Sequence, residues 1–372
     1  MTSINRFIML TAMTPQRKSK PISMADVAKR AGVSKSLVSV ALSGRECTVA
    51  LSEETRKRIL AIVDELGYRP NRLAQSLAKR QSYLVAMLGR EAYFVFALET
   101  IKGLEEVLGQ RRYSLLTYYD GSWAEDQARH LHLALERQVD GLIIAGAPEA
   151  PDGPNHQAVA ALREQGVPMV QLYRRIFPGV PVVMTDEEMA GYLAARHLIG
   201  LGHGRIAHVT HSYYEDRELP GMHADASLRA KGYRRAMREA GLKPQIVTYA
   251  VGNLPGIDYS TVVQPVVARL MAEKFTAATC FCDYTAIGLI HQLQAAGMDI
   301  PGDFSVVGYD DIDAATIIRP ALTTLGQPLR ELGRAAALML FDLMDQRPVG
   351  DVIFEPRLQV RGSTMPVRKK SR

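Results

Sequence analysis

The carboxylate of Asp283 is well placed to bind a small polar ligand. It follows the apolar run at residues 277–282 and precedes a segment of helical character. Because parallel α/β sheets bind ligands at the carboxyl ends of their strands, its two oxygens could accept hydrogen bonds from adjacent hydroxyl groups, as a sugar offers. The same position equally fits an N-cap for a helix that begins at Tyr284. The residues alone leave both interpretations open.

Other side chains stand at comparable positions. Arg174 follows the strand candidate at residues 169–172, so its guanidinium could face the same cleft. Phe96 lies after the first strand candidate, where an aromatic ring can stack on a ligand, although a core position is more common. The adjacent carboxylates of Asp310 and Asp311 could pass for a catalytic pair, but no nucleophile pattern accompanies them. We therefore expect no enzyme activity, and the spacing of the histidines predicts neither a metal nor another cofactor.

The elements that must position these side chains alternate along residues 83–362. Short apolar runs typical of strands are separated by amphipathic segments of helical length. The strand candidates are residues 83–88, 114–118, 141–145, 169–172, 206–210, 245–250, 277–282 and 304–307. This repeated βαβ pattern predicts a parallel sheet covered by helices on both faces, and a sheet of this length is expected to split into two.

The N-terminal block carries a net charge opposite in sign to that of the rest of the chain. Residues 1–82 hold 15 Lys and Arg against 6 Asp and Glu, and residues 368–372 add four more cations. Residues 83–367 hold 26 basic side chains against 33 acidic ones. A basic block on an acidic body is typical of a module that binds a polyanion such as nucleic acid, although a solubilising tail is the alternative.

Composition argues against a disulfide-rich secreted protein and against a membrane protein. The three cysteines, Cys47, Cys280 and Cys282, are too few for a disulfide framework, which favours a reducing compartment. No apolar run reaches the length of a membrane span, and the short apolar stretch at residues 7–13 lacks a convincing signal-peptide cleavage site. We therefore expect a cytoplasmic, nucleoid-associated protein with no membrane partner.

A helix-turn-helix is predicted within the basic block. Ser23 followed by Asp26 forms a capping-box pattern that starts the first helix, and Gly32 ends it at a turn that needs positive φ. Ser34 can cap the second helix, and a third is expected to start at Ser52. The second helix of such a motif reaches base edges in the major groove of DNA. Its exposed face is predicted to present Lys35, Ser36, Ser39 and Val40.

Three segments closely resemble the DNA-binding headpiece of the lactose and galactose repressor family. They are residues 23–34 (SMADVAKRAGVS), 54–56 (ETR) and 66–77 (LGYRPNRLAQSL). The resemblance implies that residues 71–79 form a hinge helix in the minor groove, where Leu77 wedges between base pairs and kinks the DNA. A core contact is the alternative for Leu77. The DNA-binding residues that it implies are Ser23, Ser34, Lys35, Ser36, Ser39, Val40, Asn71, Arg72, Ala74, Gln75 and Leu77.

The resemblance continues to about residue 362. It implies a sensor of the type I periplasmic-binding-protein kind, an α/β domain of two lobes with the ligand between them. Three crossovers would join the lobes, near residue 180, within 312–324 and within 346–352. Residues 308–312 and 320–324 are hinge structure in this interpretation.

The same resemblance implies the ligand-binding positions. Asp283 matches the acidic residue of the family pattern Asn-Asp-x-x-Ala-x-Gly, and Arg229 matches the pattern Arg-x-x-Gly-aromatic. With Arg174 and Phe96 they would bind a small effector, and a neutral polyhydroxy molecule such as a sugar or sugar derivative suits them. An exposed helical position is the alternative for Arg229. Cys282 stands where the family has Asn, which leaves a purine-type or acidic effector open.

The complete pattern predicts a homodimeric transcriptional repressor whose partners are a double-stranded DNA operator and a small effector. Release of the operator by the effector is the favoured prediction, and promotion of DNA binding is the alternative. The predicted parts are a basic extension (1–20), an all-α headpiece (21–69), a hinge (70–82), a two-lobe sensor (83–362) and a basic tail (363–372). Val40 replaces the arginine usual in the second helix, so the operator sequence cannot be taken from relatives. The alternatives are an exported solute-binding protein and a sugar- or nucleotide-processing enzyme on the same scaffold, and the headpiece argues against both.

Overall fold

The chain forms two compact units, residues 1–80 and residues 81–372. The structure is a computed structural model. It describes residues 22–43, 51–69, 81–90, 94–120, 124–145, 154–215, 224–250 and 258–368. Within these ranges no helix is both long enough and apolar enough to cross a membrane.

In its described part, the first unit consists of short helices that begin where the sequence predicts. They are α1 (Met24–Ala31), α2 (Lys35–Ser43) and α3 (Glu53–Glu65). The backbone N–H of Ser23 donates to the carboxylate of Asp26 at 2.8 Å, which fixes the start of α1. Gly32 follows α1 with φ of 64°, in the left-handed region, so the chain turns there. The N–H of Leu37 donates to the hydroxyl of Ser34 at 3.3 Å and caps α2.

Small and β-branched side chains hold these helices together. The fully or nearly buried core residues are Val27, Ala28, Ala31, Val38, Ala41, Ile59, Val63 and Tyr68. Alanines on α1 and α2 allow the two backbones to approach, and Ile59 and Val63 of α3 close the third side of the core. Because this core fixes the angle between α1 and α2, the predicted helix-turn-helix is confirmed.

The second unit contains two six-stranded sheets. The first sheet is built from β1 (Leu84–Arg90), β2 (Ser114–Asp120), β3 (Gly141–Ala145), β4 (Met169–Leu172), β5 (Val182–Thr185) and β11 (Val352–Phe354). The second sheet is built from β6 (Ile206–His211), β7 (Gln245–Tyr249), β8 (Ala277–Cys280), β9 (Ser305–Asp310), β10 (Thr323–Gly326) and β12 (Arg357–Gln359). Each sheet, with the helices that cover it, is one lobe.

Helices cover both faces of each sheet. Those of the first lobe are α4 (Phe94–Gln110), α5 (Ala124–Glu136), α6 (Pro154–Glu164) and α12 (Leu329–Met344). Those of the second lobe are α7 (Glu187–Gly200), α8 (Ala224–Glu239), α9 (Tyr259–Ala272), α10 (Asp283–Ala295) and the short α11 (Ala314–Ile317). Alternate residues of β1 face opposite helices: Val85 and Met87 pack against α4 and α12, while Ala86 and Leu88 pack against α5 and α6.

The sheet order places the carboxyl ends of the central strands at one edge of each lobe. The order is β11-β5-β4-β3-β1-β2 in the first sheet and β12-β10-β9-β8-β6-β7 in the second. All pairs are parallel except β10 with β12, which are antiparallel. This is the doubly wound arrangement, in which ligands bind beyond the carboxyl ends of the strands, and the predicted two-lobe fold is confirmed.

The crossovers between lobes lie a few residues later than predicted. The chain leaves the first sheet after Thr185, returns from the second after Gly326, and crosses again between β11 and β12. The predicted positions near 180, within 312–324 and within 346–352 are therefore wrong by several residues. Residues 308–312 and 320–324, expected as hinge structure, instead form the end of β9 and the approach to β10 inside the second lobe. Strands β5, β10, β11 and β12 were also missed. Strand β10 pairs with β12 and β11 pairs with β5, and such distant pairing leaves no local periodicity.

The segment after residue 362 belongs to the second lobe through residue 367, not to a free tail. Ser363 is fully buried, and its hydroxyl donates to the carbonyl of Val306 and accepts from the N–H of Thr323. The N–H of Val367 donates to the carbonyl of Leu201 at 3.0 Å. The prediction of a tail from residue 363 is wrong because polar side chains there satisfy buried backbone groups.

Candidate functional site

Helix α2 presents the polar face that the sequence predicts for DNA reading. Lys35, Ser36 and Ser39 are exposed and Val40 is partly exposed, while Val38 and Ala41 on the opposite face are buried. Ser34 and Ser36 share a hydrogen bond between their hydroxyls at 2.7 Å, next to the cap of the helix. One lysine and short hydroxyl side chains are therefore available to a partner on this face.

Ser23, also predicted to contact DNA, holds the start of α1. Its hydroxyl donates to the carboxylate of Asp26 at 2.6 Å, in addition to the bond from its backbone N–H. Its contact with DNA stays a prediction. The predicted hinge-helix residues lie outside the described residues, and they are Asn71, Arg72, Ala74, Gln75 and Leu77.

Asp283 is the first residue of α10 and is completely buried. One carboxylate oxygen, Oδ1, accepts a hydrogen bond from the hydroxyl of Thr324 at 2.6 Å. The other, Oδ2, accepts a hydrogen bond from the N–H of Ile312 at 3.0 Å. Gly308 leaves room for the carboxylate, since a Cβ at that position would lie 2.1 Å from Oδ1. The alternative that Asp283 caps a helix beginning at Tyr284 is wrong, because Cys282 occupies the N-cap position.

The environment of Asp283 makes its ionisation unfavourable. Burial is the largest effect and the nearby charge of Asp311 adds to it, while the hydrogen bonds from Thr324 and Ile312 oppose them. The result raises the pKa of Asp283 to about 7. This carboxyl joins α10 to β10 and to the segment after β9, so it stabilises the edge of the second lobe that borders the cleft.

Arg229 is buried on α8, so the alternative of an exposed helical arginine is wrong. Its Nε donates to Glu187 Oε2 and its Nη1 donates to the carbonyl of Phe281, both at 2.6 Å. The centre of the guanidinium lies 3.6 Å from the ring centroid of Tyr309 and 4.8 Å from that of Phe281. Carboxylates outweigh burial and raise the pKa of Arg229, so this cation stays charged.

Close packing of two helices places Arg229 against Glu187. A Cβ at Gly191 of α7 would lie 1.9 Å from the carbonyl oxygen of Arg229, and one at Gly232 of α8 would lie 1.8 Å from the carbonyl oxygen of Glu188. Only glycine allows the backbones of α7 and α8 to come this near. The ion pair therefore depends on two glycines as much as on its own side chains.

Arg174 crosses the cleft between the lobes. It follows β4 of the first lobe, and its Nη2 lies 2.8 Å from Oδ2 of Asp225 in the first turn of α8. The two side chains are 7% and 12% exposed, so the pair is nearly excluded from solvent. Burial opposes ionisation of Asp225, but electrostatic interactions with Arg174, Arg229 and His211 and a hydrogen bond from the Ala226 backbone together lower its pKa. The hydroxyl of the neighbouring Tyr173 donates to the hydroxyl of Thr100 at 2.8 Å within the first lobe.

A second link between the lobes lies at a crossover. Oε1 of Gln327 accepts a hydrogen bond at 3.2 Å from the hydroxyl of Thr185, which ends β5. Its Nε2 donates to Oδ1 of Asp310, at the end of β9, at 3.0 Å. Asp310 has φ of 116°, in the left-handed half of the map that glycine prefers. One amide thus joins the strand ends of both lobes.

The structure brings Arg174 and Arg229 to one acidic cleft. The neighbouring carboxylates of Asp310 and Asp311 have different partners: Asp310 accepts a hydrogen bond from Gln327, and Asp311 forms an ion pair with Arg361 at 2.5 Å. Phe96 belongs to α4, but its side chain lies outside the described residues. The sequence interpretation missed Glu187, Asp225 and Gln327. A buried arginine requires a carboxylate partner, so the acidic residues near Arg229 and Arg174 were the available signal.

Comparisons with known proteins agree with this division of the chain. Residues 23–71 match the family of bacterial regulatory proteins named after lacI, and residues 195–364 match a periplasmic binding protein-like domain. Catabolite control protein A from Priestia megaterium is 30% identical over 350 residues, which is 92% of this chain and 99% of that protein.

Two solved structures extend the comparison. The lac repressor dimer bound to operator and the anti-inducer ONPF is 26% identical, with a TM-score of 0.75, over 93% of this chain and all of that one. The complex of the transcriptional regulator CelR with cellobiose is 25% identical, with a TM-score of 0.62, over 92% of this chain and 99% of that one. Together with the helix-turn-helix and the two-lobe fold, these matches show that the chain belongs to the lacI family of bacterial regulatory proteins.

Proposed function

We propose that this chain is a cytoplasmic, dimeric repressor that a small polyhydroxy effector, a sugar or sugar derivative, releases from a near-palindromic DNA operator. The observation that carries the proposal is one chain with two parts: an exposed polar face on α2, and a buried charged cleft between two lobes. The first part suits base reading and the second suits a small ligand. We assign no enzyme activity to the chain.

The DNA-binding part of the proposal rests on charge and geometry. Lys35, Ser36 and Ser39 can donate and accept hydrogen bonds at base edges, and the basic block around them neutralises phosphates. Two copies related by a two-fold axis would place two α2 helices on two half-sites. The lac repressor structure described above is a dimer bound to operator, which supports this arrangement.

The exposed apolar side chains of the first lobe support self-association. Leu98 on α4, Leu338 on α12 and Ile353 on β11 are each more than half exposed. We propose that a second subunit covers these three side chains.

The ligand-responsive part rests on the contacts that span the cleft. The Arg174–Asp225 pair and the Gln327 bridge both join the lobes, so any change in lobe separation must alter them. A ligand that binds one lobe arrangement better than the other shifts the chain toward it, and that shift is transmitted to the headpieces. Coupling of this kind typically amounts to about 1–3 kcal/mol.

Selection of operator DNA followed by ligand titration tests the proposal. Full-length protein is used to enrich binding sites from a random duplex library, and affinity for the enriched site is measured with and without each member of a sugar panel. We expect enrichment of a near-palindrome and loss of affinity with at least one sugar. Lys35→Ala should weaken operator binding and leave the thermal shift by that sugar unchanged. Equal affinity for all duplexes would contradict the proposal.

A further inference from the structure

The interlobe ion pair has an acceptor that is not used. Oδ2 of Asp225 contacts Arg174, whereas Oδ1 is buried and has no hydrogen-bond partner among the described residues. The hydroxyl of Thr210, near the end of β6 in the same lobe, is also buried without such a partner. A buried carboxylate oxygen that accepts no hydrogen bond can accept one from a donor group of a ligand.

The charged groups around this oxygen differ in how directly they contact it. The described ionisable groups that interact electrostatically with Asp225 or Arg229 include Arg174 and His211, the carboxyl groups of Glu187 and Asp310, and the hydroxyl of Tyr309. Arg229 bonds Glu187 and the Phe281 carbonyl and lies over two aromatic rings. Arg174 is the cation that forms an ion pair with Asp225, and it comes from the opposite lobe.

The pair joins the two lobes directly, because Nη2 of Arg174 in the first lobe lies 2.8 Å from Oδ2 of Asp225 in the second. A ligand whose donor replaces Arg174 at Asp225 separates these two side chains. Separation leaves a buried negative charge, which a neutral hydroxyl compensates poorly, an anion worsens and a cation removes.

We infer that the cleft takes a ligand bearing an ammonium group, such as an amino sugar or another hydroxylated amine, and that Asp225 anchors this group in place of Arg174. Arg174 is then the built-in occupant of the anchor in the ligand-free chain. The ligand ammonium donates to both oxygens of Asp225, and the hydroxyl groups of the ligand face the remaining polar side chains of the cleft. This inference rests on the proposed function only in placing the effector between the lobes.

The anchor can be tested without knowing the effector, by removing its built-in occupant. Thermal unfolding of full-length Arg174→Ala is followed with three two-carbon probes of matched size: ethanolamine, ethylene glycol and glycolate. We expect ethanolamine to raise the melting temperature at a concentration about tenfold lower than ethylene glycol needs, and glycolate to give no rise. The wild type should respond weakly, because Arg174 already holds the position.

Two variants make the result specific. In Arg174→Ala combined with Asp225→Asn, the preference for ethanolamine should disappear. Arg175→Ala is the matched control: Arg175 is the next residue, is exposed, and pairs with Asp351 within the first lobe, so its removal should leave the wild-type response unchanged. Arg174→Met, which keeps the aliphatic bulk, repeats the measurement if the alanine variant folds poorly.

Contrary outcomes are equally specific. Equal stabilisation by all three probes, or an ethanolamine effect that survives Asp225→Asn, overturns the ammonium anchor. Because the thermal shift is measured without DNA, rescue by ethanolamine in a protein that fails to select an operator would overturn the proposed repressor and leave the anchor standing.

Discussion

Replacing Asp283 by Asn should change how the stability of the sensor unit depends on pH. The side chain is fully buried, and burial raises its pKa to about 7 from an ordinary value of 3.8. An Asn side chain keeps the size and can still accept the N–H of Ile312, but it cannot ionise. Any pH-dependent difference in the free energy of unfolding between variant and wild type therefore reports the ionisation of this one carboxyl group. Other differences between the two side chains add an amount that does not change with pH.

The sign and size follow from proton binding. As pH rises from about 4 to about 7, the folded chain keeps a proton on Asp283 that the unfolded chain has released, so the free energy of unfolding of the wild type falls. Each pH unit corresponds to about 1.4 kcal/mol, so a shift of roughly three units costs the wild type about 4 kcal/mol. The variant should gain this amount relative to the wild type between about pH 4 and pH 7, with no further change above.

Urea unfolding of both full-length proteins, monitored by circular dichroism between about pH 4 and 8, measures this difference. Asp258→Asn is the control, because hydrogen bonds from Thr261 and Ser260 lower the pKa of Asp258 and Asn still caps α9. The difference in free energy of unfolding between Asp258→Asn and the wild type should change with pH in the opposite direction, and only at acid pH. A difference between Asp283→Asn and the wild type that stays constant with pH would refute the buried, protonated carboxyl.

Three further predictions concern the DNA-binding unit and the helix packing. Operator affinity should fall about a thousandfold or more between about 50 and 200 mM salt, measured by fluorescence anisotropy; a flat response would exclude phosphate contacts by the basic block. Leu77→Ala should reduce operator affinity and the DNA bend seen by gel mobility, with the melting temperature unchanged; the reverse pattern would identify a core residue. Gly232→Ala should destabilise the sensor by roughly 1–3 kcal/mol, because its Cβ meets the backbone of α7, whereas Gly109→Ala, with open space around it, should not; equal urea midpoints would contradict this packing.

The headpiece and the long strands were predictable because their signals are local. The capping pair at Ser23 and Asp26 and the turn at Gly32 each act within a few residues, and the structure places all three as predicted. The short strands β10, β11 and β12 are set by pairing with strands far away in the chain, which periodicity does not report. The same reason explains Ser363, whose role depends on Val306 and Thr323.

The cleft between the lobes was predictable, but the contacts within it were not. Arg174 and Arg229 were expected to face a ligand, and Asp283 was expected to offer two acceptors. In the structure Asp283 uses both oxygens inside the second lobe, and Arg229 contacts Glu187 from the preceding helix. Pairing between buried charges depends on which side chains meet across elements, and a single sequence shows their presence without their distances.

The distribution of these contacts separates residues that build the cleft from residues that respond in it. The contacts described for Arg229 and Asp283 lie within the second lobe, so opening of the lobes leaves them intact. Arg174 and Gln327 reach from the first lobe or the crossover to Asp225 and Asp310 of the second, so opening must break or rearrange their bonds. A free-energy difference between open and closed lobes can come only from interactions that differ between them. We therefore propose that substitutions of Arg229 and Asp283 act on folding and on ligand affinity, whereas substitutions of Arg174 and Gln327 change the coupling between ligand and operator.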